Sequence, residues 1–532
     1  MPAAALPRTL LLAGLLLPLL LSATPHSFLA YDAGYYALQA RWIEQGAPWL
    51  APLWFGEPLF DRSIGVQWLM ALSLRLFGGA PWAADLPALL AALLSLVCTQ
   101  GLVRQLLPER STTGPLALLV LALTPLWLNY AHLATQDMPL LAVELVGISA
   151  LVACQPQGQR RWALLAGAAP GLAFLLKGFM VALPLLAITP YLLIERRWLL
   201  RRGVFWLGLL LGWLPVALWL GLSIQAFGLP VVSGLWQKLL VLSESPVFAG
   251  GPLYYLWNIP ANTAPWCLAA AAGWWLLWRS RLQRGSRLVL LLYPLLLLLL
   301  LSGFRTKMPY YALQLTPWIA IAAAVGLEHW SRAISNRWRR LDALPGAVGA
   351  VLLAAALVLL WPGSPLASTL AAVPELPALA LLAAAAAGLG TCWLVVPWQP
   401  TPQRRLAAVL LGGWLALALL SQAGLFSDRS PALRQALQQP AARAALQQPG
   451  IQAAFNGPLS DADHALLILL ALATQPSPDQ VLQPAAVAPG QWVWIRRQEF
   501  GEPARWRLAL QGPALGSWVL AERLAGPSGP EP

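Results

Sequence analysis

Asp32 stands in Leu29-Ala30-Tyr31-Asp32-Ala33-Gly34-Tyr35-Tyr36-Ala37, directly after the first apolar run, Leu10 to Leu21. A carboxylate this close to a membrane-spanning segment is costly to keep and usually has a task. Residues 46–68 follow as GAPWLAPLWFGEPLFDRSIGVQW, with Glu57, Asp61 and Arg62 embedded. So much Trp, Pro and Gly does not make a lipid-spanning helix. It makes an ordered surface loop that carries charge into a pocket at the membrane edge. His132, Asp137, Lys177, Lys238, Glu244, Arg305 and Lys307 fall on the same predicted face. Cations suit a phosphate, and a carboxylate suits removal of a proton from an attacking hydroxyl or amine. Together these residue types point to group transfer from a phosphate-linked donor at a membrane surface.

The elements that position them are membrane helices. Of the 532 residues, 58% are hydrophobic and 10% are charged, with a mean hydropathy of +0.64. A soluble chain carries nearer a quarter of its residues as charge. The repeated apolar runs, about 17 to 22 residues each, predict an all-α polytopic membrane protein. The 28 Trp residues fit interfacial anchoring. The net charge of +13 is not a nucleic-acid footprint, because most Arg residues lie in short loops between apolar runs. The four cysteines, Cys98, Cys154, Cys267 and Cys392, form no CxxC pair and read as small buried apolar residues.

About thirteen spans are predicted, near 9–25, 84–106, 114–131, 138–154, 162–176, 178–195, 203–225, 263–279, 287–303, 310–328, 344–361, 376–396 and 405–422. With the N-terminus in the cytoplasm, 19 basic residues fall on the inner side and 7 on the outer side before residue 423, as the positive-inside rule requires. Arg8 and the Leu10–Leu21 run resemble a secretory signal, but the many spans that follow favour a retained first helix. The three lysines, Lys177, Lys238 and Lys307, all fall outside, where topology does not call for them, and so are candidate anion ligands. The reading is a membrane domain over 1–422, with a first outer loop, 26–83, that carries the chemistry. Residues 35–42 and 64–77 have the spacing of amphipathic interfacial helices. Residues 226–262 read as a mobile loop. Residues 423–532 read as a small extracytoplasmic α/β domain, with helices at 431–448 and 461–473 and strands at 491–497, 505–510 and 517–522.

The loop motifs resemble those of the C-type membrane glycosyltransferases, in the branch of bacterial aminoarabinose transferases and protein O-mannosyltransferases. The resemblance runs through Asp32-Ala33-Gly34-Tyr35-Tyr36-Ala37, Gly46-Ala47-Pro48-Trp49-Leu50-Ala51-Pro52 and Gly56-Glu57-Pro58-Leu59-Phe60-Asp61-Arg62-Ser63. It continues through Thr135-Gln136-Asp137-Met138-Pro139, Leu175-Leu176-Lys177-Gly178 and Arg305-Thr306-Lys307-Met308-Pro309-Tyr310-Tyr311. It implies a transferase that takes a sugar from a polyprenyl-phosphate carrier at the outer face of the cytoplasmic membrane, with inversion at the anomeric carbon. Asp32 matches the catalytic aspartate and Asp137 the second acidic loop. Arg62, where relatives have Lys, would bind the donor phosphate with Lys177, Arg305, Lys307, Tyr310 and Tyr311. Glu57, Asp61 and Tyr35 would border the acceptor pocket. The usual Glu after the first Asp is Ala33, and the Glu-Lys-Pro triplet is Asp61-Arg62-Ser63. Relatives' acceptor specificity therefore does not carry over.

Each residue also has a plainer reading. Asp32 could cap a helix over 33–40, and Asp137 could cap the span that Pro139 opens. Asp61–Arg62 could be a surface pair, and Lys177 could snorkel between two spans. His132 reads as an interfacial polar residue, and Glu144 has no assigned role. No cofactor and no metal site is predicted, and metal dependence stays open. The partners implied are a polyprenyl-phosphate-linked sugar, a lipid, glycan or protein acceptor, and the bilayer, with no nucleic acid. The competing reading is a transporter or flippase for a lipid-linked or anionic substrate, which would place polar residues near the bilayer midplane. A third is a scaffold that binds lipid-linked intermediates.

Overall fold

The computed structural model describes residues 5–21, 23–244, 250–332, 342–361, 363–371, 379–448, 450–474, 481–501 and 503–525. Arg337, Arg339 and Arg340 of the predicted inner loop, Ser245 and Pro246 of the predicted outer loop, and residues 376–378 lie outside the described residues.

Each predicted apolar run is mostly helical where described. Among the described residues, eight helices are long and apolar enough to cross a bilayer: Pro81–Leu106, Arg160–Glu195, Gly203–Phe227, Arg284–Gly303, Pro309–Arg332, Ala343–Leu360, Leu379–Trp398 and Pro402–Gln422. Thr113–Ala122 and Pro125–Ala131 meet at 68° and make a ninth if they form one broken span. The remaining predicted spans are shorter helices, Ala5–Leu21, Asp137–Ala153 and Trp266–Arg279. The runs at 162–176 and 178–195 form one stretch, broken after Lys177 by Gly178 at φ 57° and a 3₁₀ turn, Gly178–Val181.

Helix packing here rests on small residues, since lipid gives apolar side chains no incentive to leave it. Gly208 and Gly212 face the Arg160–Lys177 helix so closely that a Cβ on either would stand 2.2 Å from the carbonyl oxygens of Leu164 and Ala168. On the outer side of Gly203–Phe227, Leu210, Leu214 and Leu218 are exposed, Leu210 by 69%, as a lipid-facing stripe is. The core of the bundle is the Thr113–Ala122 helix, buried at every position.

Outside the bundle, helices Tyr35–Glu44 and Gly65–Phe77 occupy the places predicted for amphipathic helices. Between them strands β1 (Leu53–Trp54) and β2 (Glu57–Pro58) form a short hairpin. The expected mobile loop at 226–262 is instead largely helical, as Pro230–Glu244 and Tyr254–Thr263. The apolar side chains at helical spacing in each, with Pro230 at the first turn, explain this. The C-terminal region has the predicted helices and strands, in a four-stranded mixed sheet of order β3-β4-β6-β5: β3 (Gln452–Ala454), β4 (Trp492–Arg496), β5 (Trp506–Leu510) and β6 (Trp518–Arg523). Strand β3 was not anticipated; three residues carry too little alternation to show. The Asp461–Thr474 helix joins this sheet to the membrane-edge loop. Tyr31 Oη donates to the Asp461 carbonyl at 2.8 Å, and Arg41 donates to the Leu472 carbonyl.

Candidate active site

Asp32 lies in a turn, Ala30–Gly34, at φ 59° and ψ −81°. That region is uncommon for a residue with a Cβ, and such strain persists where surrounding structure enforces it. Gly34 is needed for the close fit: a Cβ there would stand 2.8 Å from the Leu29 carbonyl oxygen and 3.1 Å from Ile468 Cγ2. The helix after the turn starts at Tyr35, with no side-chain cap. The capping alternative for Asp32 therefore fails. Asp32 is half-buried.

Asp137 opens the Asp137–Ala153 helix without capping it. Its carboxylate pairs with Lys177, each side chain 12% exposed. Lys177 Nζ also lies 5.1 Å and 5.6 Å from the ring centres of Tyr310 and Tyr311, within cation–π range. Lys177 thus does not snorkel alone. The charges of Asp32 and Asp137 both act on Tyr130, Tyr310 and Tyr311, and that of Asp32 acts on Asp137. The two acidic loops, over a hundred residues apart in sequence, converge on one tyrosine-lined space. Tyr130 and Tyr310 are in ring contact at 5.7 Å.

Arg62 forms the second charged centre. It donates to Asp61 Oδ2 from Nε at 3.0 Å and from Nη2 at 2.6 Å, and to Tyr36 Oη from Nη1. Its guanidinium lies 4.8 Å from the ring centres of both Tyr35 and Tyr36. Burial opposes the charge on Arg62, but the Asp61 carboxylate paired with it favours that charge, and its pKa stays above the ordinary value. Burial likewise pushes the Tyr35 and Tyr36 phenols up, so both stay protonated. From the Pro230–Glu244 helix, Lys238 Nζ reaches within 3.7 Å of Asp61 Oδ2. Asp61 Oδ1 is buried with no hydrogen-bond partner among the described residues. One carboxylate therefore sits between two cations, in the arrangement a phosphate would take.

The structure treats the other predicted ligands differently. Lys307 is buried, and its ammonium donates to the carbonyls of Leu301 at 3.1 Å, Ser302 at 2.7 Å and Phe304. It closes the C-terminal end of the Arg284–Gly303 helix, where a cation is stabilised by the helix dipole. Its three donors are taken, so this geometry favours a capping role over phosphate binding. Arg305 is exposed. Glu57 is exposed on β2, at a cleft toward the C-terminal region. His132, read as an interfacial polar residue, is buried within the protein, 6.3 Å from the His26 ring. Glu144 is buried in the bundle, where its Oε1 accepts from Tyr293 Oη. Among the described residues, no cluster of three His, Cys, Asp or Glu is placed to hold a metal.

Sequence reasoning passed over Tyr36 and Tyr130 and marked Lys238 only as a candidate anion ligand, with no place in the site. Tyr36 adjoins Tyr35, but only the fold shows which ring meets Arg62. The outer-face position of Lys238 was the available signal for it.

Residues 61–220 match the family described as dolichyl-phosphate-mannose-protein mannosyltransferase. A Pseudomonas paraeruginosa undecaprenyl phosphate-alpha-4-amino-4-deoxy-L-arabinose arabinosyl transferase is 28% identical over 413 residues, 75% of this chain and 72% of the relative. A Pseudomonas aeruginosa protein of the same description is 27% identical over 410 residues, again 75% and 72% of the two chains. The fold is that of ArnT from Cupriavidus metallidurans. The crystal structure bound to undecaprenyl phosphate superposes with a TM-score of 0.74, and the apo structure with 0.72. Each pairing is at 19% identity and covers 98% of this chain and 99% of the other.

Proposed function

This chain is a polytopic membrane protein with the fold of the C-type glycosyltransferases, and we propose that it transfers a sugar from a polyprenyl-phosphate carrier to an acceptor at the outer face of the cytoplasmic membrane. The observation that carries this reading is the meeting of two acidic loops, Asp32 and Asp137–Lys177, with the Arg62–Asp61–Lys238 cluster in one tyrosine-lined space. The transferases among the relatives support it, and the transporter reading is set aside.

In this mechanism Arg62 and Lys238 bind the donor phosphate, which takes over from Asp61 as their counter-ion. Arg in place of Lys offers a bidentate fork to phosphate oxygens. The acceptor hydroxyl or amine attacks the anomeric carbon, and its proton passes to Asp32. The bond from that carbon to the phosphate oxygen breaks, and the electron pair leaves with polyprenyl phosphate. Fixed cations at the leaving group stabilise the charge that builds there. Asp137 orients Lys177 beside Tyr310 and Tyr311 at the same centre. Glu57 borders the acceptor side, Tyr35 stands beside Arg62 at the donor centre, and Arg305 is exposed.

The proposed organisation keeps the N-terminus in the cytoplasm, the membrane domain over 1–422, and the C-terminal α/β domain, 423–532, outside above the site. The test is mass spectrometry of polyprenyl-phosphate sugars in cells lacking the protein, rescued with wild type or with Asp32→Asn. Accumulation of a glycosylated carrier in the null cells and in those carrying Asp32→Asn, but not with wild type, is the expected result. A normal pool with Asp32→Asn removes Asp32 from the chemistry.

A further inference from the structure

A cleft of about 370 Å³ lies between the β1–β2 hairpin and the C-terminal region, lined by Trp54, Phe55, Glu57, Phe455, Leu459 and His464 among others. Its two walls are contributed by segments roughly four hundred residues apart in sequence. They are held together by the Tyr31–Asp461 and Arg41–Leu472 hydrogen bonds. The volume is in the range of small-molecule sites.

The cleft communicates with the charged centre through two rings. Trp54 packs on His464 at 5.1 Å and on Tyr35 at 4.9 Å. Tyr35 in turn lies 4.8 Å from the Arg62 guanidinium. A ligand seated in the cleft would therefore reach toward the place where donor phosphate is bound. The wall chemistry is mixed. Trp54, Phe55 and Phe455 give aromatic faces, whose negative quadrupole attracts the polarised C–H groups of a sugar ring. Glu57 and His464 give a carboxylate and an imidazole beside those faces. Burial lowers the His464 pKa, with Asp461 opposing more weakly, so the ring is neutral at pH 7 and can donate and accept at hydroxyls. An acyl chain has no use for the carboxylate, and a phosphate would be repelled by it.

Resting on the transferase reading above, we propose that this cleft binds the saccharide part of the acceptor, as one or two neutral or amine-bearing sugar rings without phosphate. The subsite exists only while the C-terminal region is docked on the Asp32 loop. That docking gives the C-terminal region a role in choosing the acceptor.

The test uses the full chain in lipid nanodiscs and saturation-transfer NMR with three probes: N,N′-diacetylchitobiose, a glucosamine disaccharide and decanoate. Undecaprenyl phosphate binding is measured in parallel. The disaccharides should receive saturation from the protein and decanoate should not. Trp54→Ala and Phe455→Ala should each weaken the disaccharide signal about five-fold and leave undecaprenyl phosphate affinity unchanged, which also reports that the variants are folded. His464→Gln, which keeps hydrogen-bonding capacity, should weaken it less. Absence of disaccharide contact, contact by decanoate instead, or a signal indifferent to both aromatic substitutions overturns the proposal. Disaccharide binding that depends on Trp54, in a protein that does not bind undecaprenyl phosphate, upholds the cleft and removes the donor reading.

Discussion

Lys177 ends one membrane helix, Asp137 begins another, and their side chains close an ion pair from which water is largely excluded. Such a pair contributes less by its own attraction than by the penalty for breaking it, because either charge left alone is stranded in a poor solvent.

Asp137→Asn and Lys177→Met should therefore each destabilise the protein, by about 3–5 kcal/mol. The double substitution should recover much of that loss while leaving transfer impaired. Thermal unfolding in nanodiscs, read beside activity, checks this. A double variant no more stable than the singles would show that the pair has no mutual dependence.

Asp32→Asn keeps the shape of the side chain and removes its basicity. Transfer should fall by about 10²-fold or more, with undecaprenyl phosphate affinity unaltered. A matching loss of affinity would instead place Asp32 in donor binding.

Arg62→Ala should weaken undecaprenyl phosphate binding strongly, Arg62→Lys less, and Lys238→Ala by a smaller amount that shrinks as salt rises, since Lys238 is the more exposed of the two cations. Equilibrium binding at two ionic strengths measures all three. Lys307→Met should lower thermal stability and leave that affinity alone, because its ammonium is held by the Leu301, Ser302 and Phe304 carbonyls. Reduced affinity without reduced stability would return Lys307 to the phosphate site.

His132 and His26 make the fold acid-sensitive. Burial, and for His132 the neighbouring His26 as well, lowers both pKa values, that of His132 to about 3. The folded protein resists protonation of both rings more than the unfolded chain, which takes up protons below about pH 6.5. The unfolded state then binds more protons, so stability falls as pH drops below 6.5, by at most about 1.4 kcal/mol per pH unit for each ring. His132→Asn should flatten the dependence of melting temperature on pH between 6.5 and 5.

The sequence by itself determined the class of the molecule, because the length and apolarity of a run decide whether it can lie in lipid. It also determined most of the elements outside the membrane. The spacing that predicted helices at 35–42 and 64–77 and strands near 491–497 and 517–522 reflects local periodicity, which a chain carries wherever it folds. It singled out Asp32, Asp137, Arg62 and Lys177, since charge at a membrane edge is costly enough to stand out. What each of them touches was decided only by the tertiary structure. Nothing local distinguishes Lys307, turned back on its own helix end, from Lys238, which crosses to Asp61 from a helix read as a loop. Nor does anything near Asp32 announce that the Asp461–Thr474 helix will pack against its turn. Those contacts join residues one hundred to more than four hundred positions apart, and long-range packing leaves no period in the sequence from which to read it.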